Sequence, residues 1–477
     1  MLFDVGKYGE NIAFEHAKGM AVTYDDLAKL TKRVEQKIGS RKLVCLLASN
    51  TVDALAYYIS FLNSKNVVLL LDAGMAREDL EKYLKTYRPD YICKPQDQEY
   101  VLSAYEPESK KELYKELALL LPTSGSTGAM KLVRQSYRNI EANTKAIITY
   151  LQIKQSDRPI LSLPMSYTYG LSVVHTHIAM GASIFLTDDK ICQKSFRDFC
   201  REKNITSFSG VPYSYEVLDR FRFFERKERI SQSRTEYSQK TDQTFIRKED
   251  IGLKTLTQAG GHLDNALQEK IIDYAIQHKI RFYVMYGQTE ATARMSYVPY
   301  QKLYQKEKIG SVGIPIPGTR MEITDETGCT IEKPFQTGEI VFYGQNVSLG
   351  YADCLEDLKL QDTNQGRLQT GDVGYQDEDG YFYITGRKNR FVKICGKRMS
   401  LDEIEQKTKS KFRGVDCAIT GDDTCLQVYI DQERVEEVTG YLQKKFRLGR
   451  SQVQVDVLQQ IPKNTAGKVQ YTALSKH

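Results

Sequence analysis

KLVCLLASNTVDALAYYISFLNSKNVVLLLD, residues 42–72, carries the fold class. Its ends, KLVCLLAS (42–49) and NVVLLLD (66–72), are short apolar runs. Between them Ala54, Tyr57, Tyr58 and Phe61 recur at helical spacing, and Asn50 or Thr51 stands where an N-cap belongs. Neither run approaches the roughly 18 apolar residues of a membrane span, so both read as buried strands. The alternation continues outward: AREDLEKYLKTY (76–87) is helical, ILSLP (160–164) leads into another helical segment, and SIFLTD (183–188) follows it. Strands alternating with helices imply parallel sheets with helices on their faces. Ligands in such sheets bind at the carboxyl ends of the strands.

Composition excludes several classes. The chain has 477 residues, enough for two or more cores, with 41% hydrophobic and 27% charged residues. Its 67 basic and 61 acidic side chains leave a net charge of +6, mild for this length, and no recognition motif or zinc spacing argues for nucleic acid. Asp4, Lys7 and Glu10 interrupt the N-terminal segment, which does not read as a signal peptide. Nine scattered cysteines without a Cys-x-x-Cys pair suggest reduced thiols and a cytoplasmic protein. Residues 220–251 hold nine basic and six acidic side chains with little periodicity, and read as a mobile solvated insertion. A basic patch docking an acidic partner is the sharper alternative.

Four segments carry chemistry. PTSGSTGAMK (122–131) follows an apolar run. Gly125 and Gly128 let backbone N–H groups face an anion, Thr123, Ser124, Ser126 and Thr127 add donors, and Lys131 adds charge. The spacing is not that of a kinase-type phosphate loop, whose glycines stand five apart before Lys-Ser or Lys-Thr. The second segment, RFYVMYGQTEATARMS (281–296), reads as a strand and a tight turn. Tyr286 could lie against a base, Thr289 on a phosphate and Glu290 on Mg²⁺, a metal that favours hard oxygen ligands and substrate phosphates. The third, LQTGDVGYQDEDGYFYITGRKNRFVKICGKRMSLDEIE (368–405), contains a hairpin turning at Asp379-Gly380. Asp372 could accept from a ribose diol and Arg387 complete that contact, or both could only shape turns. The last, PKNTAGKVQ (462–470), places Lys468 after a glycine-containing loop.

Together and in order, these segments resemble the adenylate-forming superfamily of acyl-CoA synthetases, stand-alone adenylation domains and luciferases. TSGSTGAMK, LSLPMSYTYGL, TQAGGHL (257–263), YGQTE, TGDVGY with the hinge segment, and PKNTAGKV resemble six of its motifs. The resemblance implies an N-terminal adenylation core domain, residues 1–386, of parallel-rich αβ-layered sheets with a distorted barrel. It implies a small mobile α+β C-terminal lid, residues 387–477. The implied reaction joins a carboxylic acid to ATP as acyl-adenylate, releasing pyrophosphate, and a thiol of CoA or phosphopantetheine then captures the acyl group.

The implied roles follow motif by motif. Lys468 bridges carboxylate and phosphate, Thr289 binds the α-phosphate, and Glu290 holds Mg²⁺. Thr123 to Gly128 and Lys131 hold the leaving phosphates. Tyr286, Gly287, Gly260 and Gly261 frame the adenine, with Asp372 and Arg387 on the ribose. Tyr167, Tyr169, Gly170 and His175 line the acyl pocket, Asn389 is the hinge, and Gly396 lines the thiol tunnel. Four positions depart from the family: Met130 and Leu132 flank Lys131 where Pro and Gly are usual, Tyr167 stands where His is frequent, and Asn389 stands where Asp or Lys is more frequent.

The acyl-pocket segment has no acidic residue to pair with an α-ammonium, which would be costly to bury alone. The expected substrate is therefore a small non-amino aryl or fatty acid. The alternatives are amino-acid adenylation for a separate acyl carrier protein, and a degenerate nucleotide-binding protein.

Overall fold

The computed structural model describes residues 2–97, 99–106, 111–122, 131–224, 252–394, 397–412, 414–463 and 469–474. Thr123, Ser124, Gly125, Ser126, Thr127, Gly128, Met130, Gly396, Lys468 and most of the 220–251 segment lie outside them. The chain divides into two compact units, residues 1–320 with 343–368, and residues 321–342 with 369–477.

The first unit is built on two large sheets. In a seven-stranded sheet, strand Leu43–Ala48 pairs parallel with Val67–Asp72 and with Tyr91–Gln96. All six residues of Leu43–Ala48 are buried, and their sides alternate: Val44, Leu46 and Ala48 join one apolar cluster, while Leu43, Cys45 and Leu47 join another. A strand covered on both faces has no use for a polar alternate residue, which is why the run is continuously apolar. Helix Val52–Asn63 connects the pair, with Thr51 Oγ1 accepting from Ala54 N at 3.3 Å as its cap. A nine-stranded sheet holds the parallel strands Ser207–Gly210, Thr255–Gln258 and Arg281–Tyr286. One cluster runs from Val44 and Leu46, through the helices, to Tyr283 and Met285 of the second sheet.

The second unit is α+β. Strands Arg367–Gln376 and Phe382–Arg387 form the expected hairpin, with Gly380 at φ 83° in its turn. Among the described residues the distorted barrel expected from the family resemblance does not close. The strands Arg320–Thr324, Gly338–Tyr343, Arg367–Gln376 and Phe382–Arg387 pair in that linear order and stay open. Four strands are too few to close around packed side chains, which takes about eight. Helices Leu401–Lys411 and Val435–Phe446 pack with strands Cys417–Gly421, Leu426–Ile430 and Val453–Val457 on a separate apolar cluster. Residues 321–342 and 369–386, placed with the N-terminal domain by the sequence, group here with the C-terminal part. The eight cysteines among the described residues form no disulfide. No helix among the described residues is long and apolar enough to cross a membrane.

Candidate active site

Strand Arg281–Tyr286 ends at the carboxyl edge of its sheet, and the chain turns at once through Gly287. A Cβ at Gly287 would sit 1.7 Å from the Ala293 carbonyl oxygen, so only glycine permits the turn. Thr289–Ala291 form a single 3₁₀ turn, and Met295 N donates to Tyr286 O at 2.9 Å, closing the loop on itself. Buried amides fix it from outside. Gln135 Nε2 donates to Thr289 O at 2.9 Å, and Asn346 Nδ2 donates to Ala291 O and Arg294 O, both at 2.9 Å. Ser348 N donates to Glu290 O at 2.8 Å. Buried amide N–H groups donating to turn carbonyls in this way hold a backbone in one conformation.

The Glu290 side chain is half-buried and accepts a 2.8 Å hydrogen bond from Tyr351 Oη. Lys131 Nζ lies 4.4 Å from the centre of the same tyrosine ring. The carboxylate expected to meet a metal and the ammonium expected to meet phosphates thus share one aromatic support. That support is fastened by Arg134, a fully buried guanidinium on strand Leu132–Ser136. Its Nε donates to Tyr351 O at 3.0 Å and its Nη2 to Leu349 O at 2.7 Å. Leu132 is itself fully buried, paired with Pro122 and Ala352. Where the family usually has glycine, this chain starts a core strand.

The Gly-Gly segment follows strand Thr255–Gln258. Gly260 has φ +89°, a left-handed conformation that disfavours other residues, and a Cβ there would meet Tyr167 Oη at 3.0 Å. Tyr167 and Gly260 are therefore neighbours. At Gly170 a Cβ would lie 2.2 Å from Pro164 O, so glycine lets helix Thr168–Ala179 pack on the Leu161–Pro164 segment. Tyr169 Oη donates to Thr257 O at 2.8 Å beneath the Gly-Gly segment. His175 turns away from this region: it bonds Tyr58 Oη at 2.8 Å through Nε2 and stacks on that ring. Burial pushes its pKa down to about 3. His177, two residues on, lines a pocket with Tyr169, Ser172, Thr257, Met285 and Arg294 instead.

In the second unit, Asp372 and Arg387 stand opposite each other in the hairpin register. Arg387 Nε meets Asp372 Oδ1 at 3.1 Å, with the carboxylate buried and the guanidinium exposed. Asn389 is exposed in a one-turn 3₁₀ helix, Lys388–Arg390. Lys388 pairs with Glu339 at 2.9 Å, and Arg390 pairs with Asp402 and Glu405. The exposed residue thus sits between two anchored ones.

Among the described residues no group of three or more His, Cys, Asp or Glu is arranged to hold a metal unaided. Glu290 fits the other arrangement, one carboxylate completing the shell of an ion that a polyphosphate also ligates. Tyr351, Gln135 and Arg294 were invisible to motif reading. Arg294 alone left a trace, a lone cation inside the small and apolar run of residues 291–295.

A family profile described as "AMP-binding enzyme" matches residues 4–352. The chain belongs to that family, an AMP-binding enzyme of the adenylate-forming class. It is similar to oxalate–CoA ligase of Arabidopsis thaliana, 25% identical over 452 residues, spanning 91% of this chain and 82% of that protein. It is also similar to 2-succinylbenzoate–CoA ligase of Bacillus cereus strain AH820, 24% identical, spanning 89% and 86%. Among solved structures, ATP-bound MatB from Rhodopseudomonas palustris superposes with a TM-score of 0.76 at 22% identity, covering 98% of this chain and 95% of that one. The o-succinylbenzoate CoA synthetase of Bacillus subtilis with its acyl-adenylate intermediate gives 0.76 at 19% identity, covering 99% and 97%. These structural likenesses establish the shared fold.

Proposed function

We propose that this enzyme is an acid–CoA ligase: it activates a small or aryl non-amino carboxylic acid as acyl-adenylate and passes the acyl group to the CoA thiol. The observation that carries the reading is the pairing of Glu290 and Lys131 across Tyr351, on a turn that only Gly287 permits. The CoA-ligase names of the sequence relatives support it, as does the structure of the Bacillus subtilis o-succinylbenzoate CoA synthetase in complex with ATP and magnesium ion.

The chemical problem is electrostatic, because a carboxylate must attack an anionic α-phosphate. A carboxylate oxygen bonds to the α-phosphorus, and the bond to the bridging oxygen breaks, releasing pyrophosphate. Lys468 neutralises both reacting anions, and Thr289 donates to the α-phosphate. Lys131 with residues 123–128 holds the departing phosphates. Glu290 would hold Mg²⁺, which supplies charge neutralisation at the phosphates when bound. Tyr286 and Gly261 frame the adenine, and Asp372 with Arg387 fixes the ribose. In the second step the CoA thiolate attacks the acyl carbon and AMP leaves. Residues 387–477, with the hinge at Asn389 and Gly396 in the thiol tunnel, are proposed as the lid that exchanges the two steps.

Mass-spectrometric stoichiometry tests the reading. Acid, ATP, Mg²⁺ and CoA should yield thioester, AMP and pyrophosphate in equal amounts. Adenylate accumulating untouched by CoA, and discharged only onto a carrier protein's phosphopantetheine, would replace CoA as acceptor.

A further inference from the structure

Two arginines of the first unit are equally hidden, and they differ in what holds them. Arg134 is fully buried and gives its N–H groups to four carbonyls, those of Leu349, Tyr351, Leu360 and Gln361. Arg294 is 3% exposed, and its bonds are poor: Nη1 to Ala293 O at 3.3 Å and Nη2 to Ser172 Oγ at 3.5 Å. Its Nε is buried with no hydrogen-bond partner among the described residues. No carboxylate among the described residues forms an ion pair with it. Its guanidinium lies 3.9 Å from the centre of the Tyr169 ring, which softens the charge without saturating its donors. A buried cation with unmet donors is costly unless an anion completes it.

Position says where that anion belongs. Arg294 lines the pocket between helices Tyr137–Leu151 and Thr168–Ala179 and the strands Ser207–Gly210, Thr255–Gln258 and Arg281–Tyr286. The Tyr286–Glu290 turn and the Gly260-Gly261 segment lie at the carboxyl ends of those strands. The pocket runs back past Thr257 and Met285 to Ser207, Thr255 and Arg281, at the strands' starts. Tyr169, assigned to the acyl pocket, lines this pocket too, so a group beside Arg294 would sit farther back than a carboxyl held at the strands' carboxyl ends. The backbone of Arg294 is pinned, its carbonyl accepting from Asn143 Nδ2 and Asn346 Nδ2 at 2.9 Å each. The pocket's other charged side chains have partners of their own. Arg281 bonds Gln152 Oε1 and Thr255 Oγ1, and the half-buried Asp157 accepts from Lys154 N.

We propose that Arg294 receives a second carboxylate of the acid substrate, so that this enzyme selects short dicarboxylic acids. The proposal rests on the acid–CoA ligase reading and sharpens it. The fork of Nε and Nη2 suits the two oxygens of one carboxylate. The same cation excludes an α-ammonium.

The test compares succinate, glutarate, adipate and phthalate with their monomethyl esters, each pair alike in size and differing by one charge. Acid-dependent pyrophosphate release by the wild-type enzyme should favour at least one diacid over its ester by about 30-fold or more in kcat/KM, because the ester leaves the buried cation unmet. Arg294→Met should bring that ratio to within about threefold of unity, and Arg294→Lys should restore part of it. Isothermal titration of the wild-type enzyme with diacid and ester gives the same comparison without a variant. Esters or simple monoacids used as well as diacids would overturn the proposal and leave the ligase reading standing. No release with any acid would overturn both.

Discussion

The Tyr351 hydroxyl donates to Glu290 Oε1 at 2.8 Å while the same ring carries Lys131 Nζ at 4.4 Å. One side chain therefore contacts both the carboxylate proposed to hold Mg²⁺ and the ammonium proposed to meet the phosphates. Tyr351→Phe removes only the hydroxyl. We expect it to raise the Mg²⁺ concentration needed for half-maximal pyrophosphate release by roughly three- to tenfold, the range for a lost hydrogen bond to a partly exposed charge. Tyr351→Ala also removes the cationic contact, worth about 0.5–1 kcal/mol at an exposed site, and should further raise KM for ATP. Equal effects of the two variants would show that the ring contributes nothing.

Gly287 tests the turn itself. Gly287→Ala forces a methyl group against the Ala293 carbonyl at 1.7 Å, and the backbone must move. Overpacking of this kind costs about 1–3 kcal/mol, visible as a lower urea midpoint, and activity should fall more than the population of folded protein does. Gly440→Ala is the control: it lies inside helix Val435–Phe446 with nothing within 4 Å of the added Cβ. That change should stabilise by roughly 0.5–1 kcal/mol.

Lys468 separates the two proposed half-reactions. Lys468→Ala should lower acid-dependent ATP–pyrophosphate exchange by about 10²–10³-fold, the size expected when a charge-stabilising group is removed. Conversion of supplied acyl-adenylate to thioester should keep most of its rate. Equal loss of both steps would contradict an exchange of lid positions between them.

His175 sets an acid limit on stability. Its folded pKa is pushed down to about 3 by burial, against an ordinary value of 6.5. Between those values the unfolded chain binds a proton that the folded chain refuses. Stability is therefore full above pH 6.5 and falls as pH drops, by roughly 2 kcal/mol at pH 5 from this residue alone. The difference in urea-denaturation free energy between the wild type and His175→Gln should shrink by about that amount from pH 7 to pH 5. A constant difference would show that His175 takes up its proton when folded.

Much of this was legible in the primary structure. The run 43–48 had to be a strand buried on both faces, because every residue is apolar and each face met a core. Gly287 stood in a segment that read as a tight turn, and a Cβ there would strike the Ala293 carbonyl. Motif reading failed where function is carried by partners distant in sequence. Tyr351 has no local signature, and its role appears only when Arg134 draws residues 349–361 onto the strand before it. His175 sat at the right helical segment but on its core-facing side, a matter of one rotational step along the helix. Leu132 looked like a defective phosphate loop; its complete burial identifies it as the first residue of a core strand.

Isotope transfer tests the central claim most directly. With the acid's carboxylate labelled by ¹⁸O, attack of that oxygen on the α-phosphorus followed by thiol capture leaves one labelled oxygen on AMP. The account predicts AMP carrying one ¹⁸O in step with thioester formation. Unlabelled AMP, or ADP and phosphate in its place, would contradict it.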